Sequence, residues 1–427
     1  MSVSSSTVPA AAQASSHLYR VIAAGSIGNA LEWYDILVYG YFAVTLSNVF
    51  FPKGNEAVSL LLTLGTFGAS YLVRPLGAIV LGAYGDRAGR KASLMVSILL
   101  MVIGTLMMAL MPSYAAIGIV APIAVLMARL IQGFSVGGEF GSATAFLVEH
   151  GPGRKGFFAS WQWAGQGLAA LLASAFGVAL TSGLAPEQLQ SWGWRIPFLF
   201  GLLIGPVGFY IRRHVAETPE FLRTEAATTP VRDVIVGQWG RLLLAIGTVA
   251  ISTSANYVIL YMPTYAIKEL GLPQSIGFIA TLIGAAILMV GAPMIGHSSD
   301  KIGRTRVMIA MTVLFIISAY PVFLMLTTER SLVALVAVVA WMSLLKTGYS
   351  GALPALLAEI FPTRTRVTGM ALSYNIGVPL FGGFAPVIVQ WLIEQTGSKL
   401  VPGYYLIATA LLSLAALLIV RRRLRLY

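Results

Sequence analysis

Between Arg20 and Val420 the chain runs through twelve apolar stretches of about 20 residues or more, and each can cross a hydrocarbon core of about 30 Å. They fall near 20–48, 57–83, 92–112, 115–148, 156–182 and 194–213, then 240–267, 275–298, 305–327, 331–357, 366–394 and 402–420. The runs are continuously apolar, whereas barrel strands alternate over about ten residues, so this reads as an all-α membrane protein. Charged residues make up only 10% of the chain, too few to solvate the surface of soluble domains. No cysteine is present, and the four histidines have no paired ligand spacing. Thiolate chemistry, a metal centre and a bound cofactor are therefore not expected.

Basic residues supply the orientation. With the amino terminus inside, twenty lysines and arginines fall in inner segments, and only Lys53, Arg195, Lys268, Arg330 and Lys399 fall outside. This excess predicts both termini in the cytoplasm and explains the net charge of +12 without a nucleic-acid partner. The Ser/Ala-rich residues 1–19 read as a disordered cytoplasmic tail. Bundles then follow at 20–213 and 240–420, with a central cytoplasmic loop at 214–239 and a basic cytoplasmic tail at 421–427.

The halves also repeat. Gly82, Asp86, Arg87, Gly89, Arg90 and Lys91 follow the second stretch, while Gly296, Asp300, Lys301, Gly303, Arg304 and Thr305 follow the eighth, with the aspartates 214 positions apart. Repeated bundles place a solute site at their interface near the midplane.

Six ionisable side chains lie inside the stretches: Glu32, Asp35, Arg74, Arg129, Glu139 and Lys346. Each costs about 2.5–3.5 kcal/mol on insertion scales, so each needs a partner, a wet cavity or a function. Glu32 and Asp35 are three apart, on one helix face with Asn29, and are expected to face the cavity together. Two readings stand open: a structural pair with Arg74 or Arg129, or a proton carrier, since two close carboxylates in a low-dielectric cavity do not both ionise readily. Arg129, with Gln132 beside it, can bind a carboxylate bidentately or hold an acid of the first stretch. Asn256, Tyr257 and Tyr261 in the seventh stretch and Lys346 with Tyr349 in the tenth supply further polar faces. Lys346 either balances an acid or attracts an anionic solute. Gly133, Gly137 and Gly141 mark a packing stripe. Glu149–His150 is the nearest approach to an acid/base pair, and no nucleophile accompanies it, so an enzyme is not expected.

The Asp86 loop resembles the G-x-x-x-D-R-x-G-R-K signature of the major facilitator superfamily. An ordered set of motifs narrows the resemblance to its metabolite:proton symporter family: Gly28 to Asp35, Arg129 to Glu139, Trp192 to Phe198 and Glu217 to Phe221. The chain looks most similar to the citrate and tricarballylate branch. The resemblance implies two pseudo-symmetric six-helix bundles working by alternating access as a monomer in a bacterial inner membrane, with protons and a di- or tricarboxylate as partners. Zwitterions such as proline or betaine, and other acids such as shikimate or 2-oxoglutarate, are the alternatives. It further implies a proton-coupling role for the arginine motif of Arg129, with Glu32, Asp35 and Glu139 as its acids. Asn29, Arg74, Arg129, Gln132 and the faces of spans seven and ten would bind solute. Asp86, Arg87 and Arg90 would latch the halves, with Asp300 and Arg304 as their second-half counterparts. The second copy departs from the signature at Lys301 and Thr305.

Overall fold

A computed structural model describes residues 30–426 apart from 31, 53, 89, 138–143, 145–146, 149–152 and 215–229. In a bilayer every backbone amide must find its partner inside its own segment, and the described residues are accordingly helices and short connections, with no strand. The membrane helices are α1 (32–50, with a turn at Phe42), α2 (Glu56–Leu72 continued by Arg74–Ala88), α3 (Arg90–Leu110), α4 (Val120–Val136), α5 (Lys155–Gly183) and α6 (Arg195–His214). Six more follow: α7 (Trp239–Lys268), α8 (Gln274–Ile302), α9 (Arg304–Glu329), α10 (Leu332–Ser350 continued by Leu353–Ile360), α11 (Arg366–Val378, then Ala385–Thr396) and α12 (Val401–Arg423). Among the described residues eight helices are long and apolar enough to cross a membrane by themselves, and α3 and α4 contribute the shorter apolar segments Met95–Leu110 and Val120–Val136.

Small residues set how closely the helices approach. A Cβ on Gly133 would land on the Ser70 carbonyl, one on Gly137 on the Arg74 carbonyl, and one on Gly77 on the Phe134 carbonyl. The four-residue glycine spacing of α4 therefore presses its backbone onto α2. Gly141 lies outside the described residues.

Two seams join the halves. Along the first, α5 and α8 run antiparallel in contact over their whole length, Gly156 meeting Gly296, Gly167 meeting Met289 and Gly177 meeting Phe278. Along the second, α2 meets α11: Gly68 lies under Phe384, Gly383 lies against Tyr71, and Asn375 Nδ2 of α11 donates to the Gly137 carbonyl at 2.8 Å. Between its two α-helical parts α11 widens into a π-helical turn over Pro379–Gly383. The Phe381 carbonyl in this turn accepts from Ser254 Oγ at 3.0 Å and Tyr405 OH at 2.9 Å, so the irregular backbone is satisfied by neighbouring helices.

Candidate functional site

Between the halves lies a small cavity of about 20 Å³, with walls from α1, α5, α7, α8 and α10. Its cation is Lys346, which is 4% exposed. The Lys346 ammonium donates to Asn256 Oδ1 at 2.5 Å and stands 5.5 Å from the centre of the Trp163 ring. Among the described residues no carboxylate pairs with it. Other lining groups are equally unfinished: both amide atoms of Gln166, Asn256 Nδ2 and Ser343 Oγ are buried with no hydrogen-bond partner among the described residues. An ammonium has three protons to donate and here uses one on a neutral acceptor. A desolvated wall of donors around an unpaired cation is complementary to a small anion.

A second polar cluster sits inside the first half. Asp35, 4% exposed, accepts through Oδ2 from the Thr105 hydroxyl of α3, and Gln132 Nε2 of α4 approaches the same oxygen at 3.4 Å. Gln132 also donates to Thr105 Oγ1 at 3.1 Å and accepts from Arg129 Nη1 at 2.7 Å. The Arg129 guanidinium lies 4.6 Å from the Tyr39 ring centre and 5.5 Å from that of Phe67. Arginine and aspartate thus communicate through one neutral amide. Asp35 Oδ1 has no donor among the described residues, and a Cβ on Gly201 of α6 would come within 2.5 Å of it, so only glycine leaves room there.

The sequence profile of the Major Facilitator Superfamily matches residues 36–341 and 273–425. The chain belongs to that superfamily. A citrate-proton symporter of Klebsiella pneumoniae is 42% identical over 400 residues, covering 93% of this chain and 90% of its own. A proline/betaine transporter of Salmonella typhimurium is 34% identical over 416 residues, covering 93% and 82%. Among solved structures, the superfamily's proton:xylose symporter XylE bound to 6-bromo-6-deoxy-D-glucose superposes with a TM-score of 0.78 at 18% identity, covering 96% of each chain. That likeness carries the twelve-helix fold and nothing finer.

Several residues expected at the solute site lie away from this cavity. Arg129 and Gln132 do not line the cavity, because α4 faces α1, α2 and α3 inside its own half. Glu32 and Asp35 do not face the cavity together: Asp35 turns toward Thr105, while Glu32 lies within electrostatic reach of Tyr71 and Tyr374 on α2 and α11. Arg74 stacks its guanidinium 4.0 Å from the Tyr71 ring centre instead of reaching the cavity. The three tyrosines are spent elsewhere. Tyr257 OH donates to Tyr71 OH at 2.6 Å, Tyr261 OH to Gln390 Oε1, and Tyr349 OH to the Thr248 carbonyl at 2.6 Å. Of the expected solute-binding residues, Asn256 and Lys346 line the cavity. Asn29, Glu139 and the side chains of Asp86, Arg87 and Arg90 lie outside the described ones.

The second-half loop is in place. Asp300 accepts from the Gly156 amide at 2.8 Å and the Phe157 amide at 3.1 Å, both at the start of α5 in the other half. Arg304 Nη2 reaches Asp300 Oδ1 at 3.1 Å, and Arg304 Nη1 pairs with Glu359. Thr305, which departs from the signature, donates to the Leu426 carbonyl at 2.9 Å and so ties down the carboxyl-terminal segment. At the opposite end Lys268 pairs with Glu56 at 2.8 Å across the halves. Sequence reasoning missed Gln166 and Ser343. A signal existed for the first: Gln162 and Gln166, two amides one helical turn apart in a stretch otherwise built from small and apolar residues.

Proposed function

We propose that this chain is a proton-coupled symporter that imports a di- or tricarboxylate of the citrate kind by alternating access, and not an enzyme. The observation that carries the reading is Lys346: a buried ammonium at a small cavity between the halves, facing no acid among the described residues. An organic anion seated there would be held from α10 and α7 on one side and from Gln166 of α5 on the other. Since those helices belong to different halves, solute binding would favour the closed state over either open one.

Asp35 is the group proposed to carry the proton. Protonation would cancel the charge that Thr105 and Gln132 now stabilise and release the Gln132 amide to follow Arg129, changing how α1, α3 and α4 fit together. In this reading Arg129 serves coupling and Lys346 serves solute. The bundles at 20–213 and 240–420 would sit as a monomer in the lipid of a bacterial inner membrane, both termini cytoplasmic, with no cofactor.

A zwitterion such as proline or betaine is the second reading, since its carboxylate would also find Lys346 and the Tyr41 ring lies in the same wall. Proteoliposomes carrying the purified protein and an imposed inward proton gradient separate the two. Citrate, tricarballylate, succinate, 2-oxoglutarate, shikimate, proline and betaine are offered in turn. Accumulation of a polycarboxylate that an uncoupler abolishes is the expected result. Accumulation that survives the uncoupler and follows sodium instead, or of zwitterions alone, would overturn the proposal.

A further inference from the structure

We infer that Gln166 reads a hydroxyl group beside a carboxylate, so that the cavity takes a 2-hydroxy polycarboxylate in preference to the same acid without its hydroxyl. The inference rests on the anion reading of the cavity and narrows it.

Gln166 is 1% exposed, and neither its amide oxygen nor its amide nitrogen has a partner among the described residues. It comes from α5 of the first half, whereas Lys346 comes from α10 of the second, and both line the cavity. Lys346 and Asn256 Nδ2 offer only donors, which suits ionised carboxylates, because these accept hydrogen bonds and donate none. Gln166 Oε1 is different. No ionised carboxylate can satisfy it, and the ligand that completes it must bring a hydrogen of its own. An ammonium could do so, yet the buried Lys346 charge in the same cavity disfavours a second cation. A hydroxyl meets the requirement without charge. In a 2-hydroxycarboxylate the O–H and a carboxylate oxygen stand side by side, matching the paired acceptor and donor of a primary amide. The unpartnered Ser343 Oγ on α10 is then left for another carboxylate.

A buried site built to hydrogen-bond a substrate hydroxyl rejects the analogue lacking it strongly, because its own polar groups are then stranded. Equilibrium binding to the purified protein tests this with two pairs that differ by one hydroxyl: citrate against tricarballylate, and malate against succinate. The hydroxylated member of each pair should bind at least about tenfold more tightly. Gln166→Leu should weaken citrate more than tricarballylate and so close the gap between them, because both acids lose the Nε2–carboxylate contact but only citrate loses the hydroxyl contact as well. Equal affinity within each pair for the unaltered protein overturns the inference and needs no variant that folds. So does a Gln166→Leu protein that loses both acids alike. Lys346→Met separates this failure from that of the proposed function. If it leaves all four affinities unchanged, the anion reading itself falls; if it weakens all four while the members of each pair stay equal, only the hydroxyl inference falls.

Discussion

Lys346→Met has opposite signs in the two readings of that lysine. If the ammonium holds the bundle together, its loss destabilises the empty protein. If it awaits an anion, the empty protein holds a buried charge whose hydration is replaced by one amide oxygen, and an apolar side chain of similar length relieves that cost. The bare Asn256 oxygen left behind returns about 1–3 kcal/mol of destabilisation, so the midpoint of thermal unfolding should move little or rise. Ligand binding should collapse. The direct charged hydrogen bond accounts for about 1.5–3 kcal/mol, or roughly tenfold to more than a hundredfold in affinity. Each further carboxylate about 8 Å away adds about 2 kcal/mol at an effective dielectric near 20, or roughly another 30-fold. Calorimetric titration of mono-, di- and tricarboxylates into both proteins reads this slope. A loss factor that is the same for all three, or a lower midpoint with unchanged affinity, would show the lysine to be structural and refute the reasoning.

Asp35→Asn keeps the size and the Thr105 contact of the side chain but removes the titrating group. Proteoliposomes should retain solute exchange at equilibrium and lose accumulation driven by a proton gradient; accumulation at the original level would exclude Asp35 as the proton site. Asp300→Asn weakens the charge that joins α8 to α5 while sitting away from the cavity lining. Solute affinity should change by less than about threefold, while a lone cysteine placed at Ser160, beside Gly296 on that seam, becomes readily alkylated in a chain with no cysteine of its own. Unchanged alkylation would show that the loop is not a latch.

The helices were legible because lipid demands unbroken apolar runs, and the loop signature at Asp86 and Asp300 showed the duplication. The embedded charges were legible as a set, but not their directions. A helix three residues long in sequence separation spreads Glu32 and Asp35 by roughly 60°, enough to send one toward Tyr71 and the other toward Thr105. Tyr257, Tyr261 and Tyr349 looked like a solute face because hydroxyls in lipid need partners, and nothing in their spacing shows that Tyr71, Gln390 and Thr248 supply them. The cavity wall from α5 and α8 was hidden for a related reason: glycines and alanines there read as packing, which they are, and the same close packing leaves the space into which Gln166 projects.

Helix α5 begins without a cap of its own, since Arg154 at its N-cap position offers no side-chain acceptor to the first free amides. Asp300 takes those amides, at the second and third positions of the helix, where an N-cap aspartate ordinarily acts. The cap is borrowed from the other half of the molecule. In the proposed alternating-access cycle, parting the halves at this end would uncap α5, a step of about 0.5–2 kcal/mol that water would offset by solvating the bared N–H groups. Opening at this end would thus meet a threshold that is set by helix termination and independent of which solute is held.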